Sequence, residues 1–178
     1  MSRGLRKFVL TAHITFAVGW LGAVAGFLAL AIIGWKSQDA HSVSAAYLAM
    51  DWITRFVILP LSFAPLITGP TLSLGTPWGL FRHYWILAKL VITLLSAIIL
   101  LIHLQPIRYL ADTAAKGVLS GADLQIQIQM VVASAAALLA LITTNFLAVL
   151  KPKGMTRYGW RKQYEERIVS RQFPEDSQ

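Results

Sequence analysis

The chain contains no cysteine, and only 13% of its 178 residues are charged. A soluble domain carries about 25% charged residues, so the composition argues against a soluble enzyme and against a disordered chain. The missing thiol excludes disulfide bonds, iron–sulfur ligation and a catalytic cysteine. The HExxH, Walker A, GxSxG and GxGxxG motifs are missing too, so the sequence shows no machinery for hydrolysis or nucleotide chemistry.

Apolar residues dominate the chain instead: 56% of it is hydrophobic, and its mean hydropathy is +0.61. A membrane-spanning helix needs about 20 mostly apolar residues, and four stretches meet this requirement. We predict an all-α, polytopic four-helix membrane bundle over residues 8–150, with spans at about 8–35, 52–74, 84–104 and 127–150. Three prolines in the second span predict that it is bent; they are Pro60, Pro65 and Pro70.

Basic residues are concentrated in the two tails, residues 1–7 and 151–178. The first tail has three and the second has seven, so ten of the sixteen Lys and Arg lie there. By the positive-inside rule both termini are cytoplasmic, and the chain is predicted to lie in the bacterial inner membrane. This orientation signal explains the net charge of +8 without a nucleic-acid partner. The basic C-terminal tail fits either a segment at the lipid headgroups or a disordered tail.

Polar residues inside the spans are the candidate functional residues, because such residues are costly in a membrane and usually face the bundle interior. In the third span four residues recur every seven positions, which places them on one stripe: Arg82, Lys89, Ser96 and His103. His13 and Trp20 share a face of the first span, and Gln127 shares one with Asn145 on the fourth.

Depth along the spans separates these residues into two layers. The inner layer contains His13, Thr68, Lys89 and Asn145, one from each span, and the outer layer contains Asp51, Arg55, His103, Gln127 and Gln129. Lys89 and His103 are 14 residues apart, which is ~21 Å along a helix. One small cofactor therefore cannot be bound by both His13 and His103.

Simpler interpretations stay open for each of these residues. Lys89 can extend its ammonium to the inner headgroups, and His103 can lie at the outer interface. Arg55 and Asp51 can form an ordinary i,i+4 ion pair, and His13 can be a hydrogen-bonded packing residue. Gly22 and Gly26 form a GxxxG motif, which permits close helix packing within the chain, in a homodimer or against a membrane partner.

Two segments resemble known membrane families. The first span reads H-I-T-F-A-V-G-W-L-G from His13, and the third reads W-I-L-A-K-L from Trp85. They are similar to the opening helix and the W-x-x-x-K-L segment of the copper-resistance CopD family and of the HemJ-type haem-dependent protoporphyrinogen oxidases. The whole chain resembles a bacterial family of predicted integral membrane proteins of unknown function that neighbours these two, mainly through residues 75–90.

The resemblance implies a four-helix unit that binds b-type haem. In the oxidases a first-helix His and a third-helix Lys are essential, and His13 and Lys89 occupy the matching positions. His13 is then the axial ligand of the haem iron and Lys89 a propionate partner or second ligand, with Trp20 and Asn145 lining the pocket. The additional histidines of the oxidases have no clear counterparts here. Copper is less supported, because the chain has only four methionines and no thiolate.

Three functions therefore stay open. The first is a haem-binding redox protein. The second is a proton or solute relay along the stripe of Lys89, Ser96 and His103, with Arg55 and Asp51 at its outer mouth. The third is a non-catalytic accessory or assembly subunit. The sequence does not decide whether the chain is an enzyme.

Overall fold

A computed structural model describes residues 1–75, 79–152 and 154–172, with side chains as far as Ile168. It contains six α-helices in the described part of the chain: α1 Arg3–Lys36, α2 Ala40–Ile53, α3 Leu59–Leu74, α4 Tyr84–Ala115, α5 Leu124–Leu150 and α6 Arg157–Gln172. Four helical segments are long and apolar enough to cross a membrane, namely α1, α2 continued through α3, α4, and α5 with the short turn before it. The predicted all-α membrane bundle is confirmed.

The helices extend beyond the apolar segments from which the spans were predicted. The second long helix begins at Ala40, whereas its predicted span begins at 52. The helix of the third predicted span, α4, continues to Ala115, past the predicted end of the span at residue 104, with Pro106 inside it. Hydropathy detects the part of a helix that is apolar, whereas a helix continues until a capping or breaking residue ends it. For α4 that residue is Gly117, whose φ is +68°.

A five-residue π-helical turn, Thr54–Ile58, joins α2 to α3 and ends two residues before Pro60. A proline has no N–H to donate to the carbonyl four residues earlier, and its ring crowds that carbonyl. A wider turn accommodates both effects, and the hydroxyl of buried Thr54 donates to the Met50 carbonyl at 2.6 Å. The two later prolines, Pro65 and Pro70, are accommodated inside α3.

Both tails lie at one end of the bundle, which we call the tail end. Arg6 and Lys151 line the same cavity there, and a Cβ on Gly75, where α3 ends, would lie 3.3 Å from the Met1 sulfur. This arrangement is what an even number of antiparallel spans requires.

The well-packed core occupies the other half of the bundle. Its most buried large side chains are at most 1% exposed and come from α2, α4 and α5: Tyr47, Met50, Leu110 and Met130. The Tyr47 ring lies directly on the α1 backbone, since a Cβ on Gly34 would be 2.7 Å from the ring. Among the described residues, none of these four side chains lies in the tail-end half.

The two glycines of the GxxxG motif, Gly22 and Gly26, do not both pack against one neighbouring helix of the chain. A Cβ on Gly22 would meet nothing within 4 Å, and one on Gly26 would touch the Ile53 side chain at 4.0 Å. Gly22 is exposed. The role of this pair in a homodimer or partner contact stays a prediction.

Candidate functional site

The tail-end half of the bundle contains a cavity of about 660 Å³ between α1, α3, α4 and α5. All four residues that the sequence predicted as cofactor-binding line it: His13, Trp20, Lys89 and Asn145. They come from three helices, and Thr68 of α3 completes the predicted inner layer through its contact with His13. The structure therefore brings the inner layer together around one space, which we call the tail-end cavity.

The imidazole of His13 is fixed by α3. Its Nδ1 lies 2.7 Å from the Thr68 hydroxyl oxygen, and that hydroxyl donates its proton to the Ala64 carbonyl at 2.7 Å. Since the hydroxyl has one proton, Nδ1 of His13 must carry the N–H and donate it to Thr68. The lone pair of Nε2 is then available, which is the arrangement usual for a metal-ligating histidine.

Residue sizes on α3 allow this contact. A Cβ on Gly69 would lie 3.4 Å from Cε1 of His13, so a larger side chain next to Thr68 would press on the ring. Pro65 and Pro70 flank the pair and line the same cavity. The short segment from Pro65 to Pro70 thus presents one acceptor and otherwise compact or apolar groups to His13.

The cavity is electropositive. Arg6, Lys89 and Lys151 line it together with His13, and no Asp or Glu occurs among its described lining residues. Lys89 is partly buried, and its ammonium lies 6.0 Å from the centroid of the Trp85 ring, a distance that permits a weak cation–π contact. Cations beside apolar walls favour an amphipathic, anionic ligand.

Asn145 of α5 and Trp20 of α1 also line the tail-end cavity. Nδ2 of Asn145 donates to the Leu141 carbonyl at 2.9 Å, so its carbonyl oxygen remains as an acceptor. Trp20 is 3% exposed and also lines a second cavity of about 450 Å³ between α1, α4 and α5. We call this second space the far cavity. It is almost entirely apolar, and the small alanines of α5 make room for it.

The predicted stripe on the third span is divided between the two cavities. Lys89 lines the tail-end cavity, whereas Ser96 and His103 line the far cavity. Arg82 does not belong to the helical stripe, because α4 begins at Tyr84. It lies in the preceding loop and forms an ion pair with Glu166 of α6. The prediction that Arg82 lies on the stripe was wrong, because a seven-residue spacing places residues on one face only inside a continuous helix.

The predicted outer layer does not form a single site. Nδ1 of His103 lies 2.7 Å from the Ile99 carbonyl and therefore donates to it, and Nε2 then accepts from Gln129 at 3.3 Å. Both ring nitrogens of His103 are thus engaged. Nε of Arg55 donates to both carboxylate oxygens of Asp51, at 2.8 and 2.9 Å, which is the simple i,i+4 ion pair. Gln127 is half-buried and lines neither cavity.

Sequence reasoning missed two cations of the tail-end cavity, Arg6 and Lys151. Both were interpreted as part of the orientation signal of the tails, which explains their charge without reference to a site. Their closeness in the sequence to the first and last predicted spans was the available clue. A basic residue within one or two turns of a span can serve both purposes.

Comparison of the chain with models of protein families, with curated proteins and with solved structures finds no match. The geometry of the site is therefore the basis on which a function is proposed. Within the described residues no group of three or more His, Cys, Asp or Glu side chains could hold a bare metal ion. A single imidazole beside apolar walls instead suits a metal that arrives inside an organic ring.

Proposed function

We propose that this chain is a haem-b-binding redox protein of the bacterial cytoplasmic membrane, with His13 as an axial ligand of the haem iron. The observation that carries the proposal is the hydrogen bond from Nδ1 of His13 to Thr68, which leaves Nε2 as the ligating atom on the wall of a large cavity. Bound haem supplies one-electron exchange, and its potential depends on the axial ligand and on burial.

The residues present fit such a group. A cavity of about 660 Å³ lies within the ~300–1,000 Å³ typical of ligand sites. Apolar side chains from α1, α3, α4 and α5 would hold the ring, and Arg6 and Lys89 would pair with the carboxylates of its propionates. Asn145 offers an acceptor at the same wall, and Trp20 closes the cavity towards the bundle centre.

The proposed orientation places the tail end in the cytoplasm. The basic residues of both tails and of the loop before α4 then lie on the side that the positive-inside rule requires. The site opens into the inner half of the membrane, where an amphipathic anion can enter with its carboxylates towards the headgroups.

The test is a visible absorption spectrum of detergent-purified protein expressed with haem supplied, recorded oxidised and then reduced with dithionite. We expect a Soret band, with sharpened α and β bands after reduction, at a near-stoichiometric haem content. His13→Ala should abolish these bands. His103→Ala is the matched control, since His103 lines the other cavity, and it should keep them.

Two results contradict the proposal. One is a flat spectrum from folded, haem-supplied protein. The other is an equal loss of haem in the His13→Ala and His103→Ala variants, which would mean that the histidine of the tail-end cavity has no special role.

A proton or solute relay is the second candidate, because Trp20 borders both cavities and α4 contributes Lys89 to one and Ser96 to the other. The stripe thus runs along two adjacent spaces inside the bundle. A relay predicts a pH-dependent flux in proteoliposomes that falls in Lys89→Ala and His103→Ala variants. This outcome, together with a flat absorption spectrum, would replace the haem proposal.

A further inference from the structure

The last helix, α6, lies against the loop that precedes α4. The Thr156 backbone N–H donates to the Arg82 carbonyl at 3.0 Å, and the Thr156 hydroxyl donates to the Phe81 carbonyl at 2.6 Å. The same hydroxyl oxygen accepts from the Gly159 N–H at 3.0 Å, and Arg82 forms an ion pair with Glu166. The basic tail is therefore a positioned helix as far as the structure describes it.

One face of α6 is used for this contact. Gly159 is buried, and a Cβ there would lie 2.4 Å from the Arg82 carbonyl oxygen. Gln163 is half-buried, and Glu166 follows on the same side at helical spacing. The docking face thus consists of Gly159, Gln163 and Glu166.

A second face of α6 remains open and combines aromatic, aliphatic and basic side chains. At about 100° per residue five residues fall within an arc of roughly 100°: Arg157, Trp160, Arg161, Tyr164 and Ile168. Trp160 is 62% exposed, Tyr164 67% and Ile168 39%. This face contains no carboxylate. Glu165 lies beside it and is 4.0 Å from Arg161, with both side chains mostly exposed, so this ion pair is weak.

The helix α6 itself lies at the tail end, close to where the apolar segments end. The loop on which it docks joins the ends of α3 and α4, where two apolar segments end. The preceding helix α5 ends at Leu150, a few residues before α6 begins. Trp and Tyr favour the membrane–water interface, and arginines near it attract anionic headgroups.

We propose that the open face of α6 binds the anionic headgroups of the lipid leaflet at the tail end. Trp160, Tyr164 and Ile168 insert at headgroup level, while Arg157 and Arg161 contact the lipid phosphates. Lipid binding by α6 is independent of whether the tail-end cavity binds haem.

The absence of cysteine from the chain allows a direct test with a single introduced thiol. Tyr164→Cys and Tyr158→Cys form a matched pair, because both tyrosines are exposed and they lie about 120° apart on the helix. Each variant is labelled with an environment-sensitive fluorophore and placed in nanodiscs of phosphatidylcholine, with or without phosphatidylglycerol. We expect a blue shift and quenching by spin-labelled lipid at position 164 with phosphatidylglycerol, and an aqueous signal at position 158.

The contribution of charge is tested in the Tyr164→Cys background. Each of the changes Arg157→Gln and Arg161→Gln should weaken the phosphatidylglycerol-dependent signal by about fivefold. Lys162→Gln removes the same charge from another face of the helix and should have a smaller effect.

Three outcomes overturn the proposal. The first is a label at position 164 that stays aqueous in phosphatidylglycerol, which would leave this face to a protein partner. The second is equal quenching at positions 158 and 164. The third is an equal effect of Lys162→Gln and the arginine changes, which would mean that the charge of the tail acts without a defined face.

Discussion

At the residue scale, the hydroxyl of Thr68 determines which nitrogen of His13 can bind a metal. Thr68→Val keeps the shape of the side chain but removes the acceptor for Nδ1–H of His13. Loss of such a partner typically costs 10–100-fold in metal affinity. We therefore expect Thr68→Val to weaken haem binding by about 10- to 100-fold in a haem titration while the spectrum keeps its shape.

Thr71→Val is the control for this change. Thr71 lies on the same helix, and its hydroxyl donates to the Ile67 carbonyl at 2.7 Å as that of Thr68 donates to Ala64. Both variants lose one such bond, but only Thr68 contacts His13. Equal haem affinity in the two variants would contradict the role given to Thr68.

The candidate site was predictable from the sequence where the position of a residue along its own helix was sufficient. Counting residues from the span ends placed His13, Lys89 and Asn145 at one depth, and the structure puts them around one cavity. The sequence did not predict that Nδ1 of His13 is the hydrogen-bonded nitrogen, nor that Arg82 pairs with Glu166. Both depend on contacts between segments 55 and 84 residues apart, which no local pattern records.

At the scale of single elements, the packing of α1 against α2 depends on one glycine. The Cβ of Gly34→Ala would lie 2.7 Å from the ring of Tyr47, which is 1% exposed and cannot move aside. Overpacking of this kind costs about 1–3 kcal/mol. We expect Gly34→Ala to lower the thermal unfolding temperature in detergent. Gly22→Ala, where nothing lies within 4 Å, should not lower it; equal losses would contradict this packing.

The start of α2 should respond to pH through its capping residue, Asp39. The side-chain hydrogen bond from Ser42, followed by the backbone N–H groups of Ser42 and His41, holds the pKa of the Asp39 carboxyl below its usual value. A lowered folded-state pKa means that the cap stabilises the helix above the unfolded pKa of about 3.9. This stabilisation is lost as the pH falls through the folded-state value.

Hydrogen exchange measures this effect at the amides of His41 and Ser42. Their protection should decrease as the pH falls below about 4 in the native chain. Asn caps helices without titrating, so Asp39→Asn should show no such decrease. The same pH dependence in both proteins would assign the effect to another group.

At the scale of the whole molecule, the packed core and the larger cavity lie in different halves of the bundle. The most buried side chains lie in the half remote from the tails, whereas the larger cavity lies at the tail end. Hydropathy predicted the four spans but not this division, because burial inside the bundle and exposure to lipid both require apolar residues. Changes that enlarge or alter the tail-end cavity should therefore affect binding more than stability.

The helix α6 lies outside the packed core, so we expect that it can detach from the loop before α4 without unfolding the spans. The Cβ of Gly159→Ala would lie 2.4 Å from the Arg82 carbonyl oxygen, a backbone atom that cannot yield, whereas that of Gly154→Ala would make an ordinary contact of 3.8 Å with Tyr84. In detergent, Gly159→Ala should make the α6 region sensitive to limited trypsin digestion at Arg157, Arg161 and Lys162, and Gly154→Ala should not. Because none of the α6 side chains that the structure describes, as far as Ile168, belongs to the hydrophobic core, the thermal unfolding of the remaining bundle should be unchanged. A parallel fall in its unfolding temperature would show that α6 contributes to the stability of the four spans.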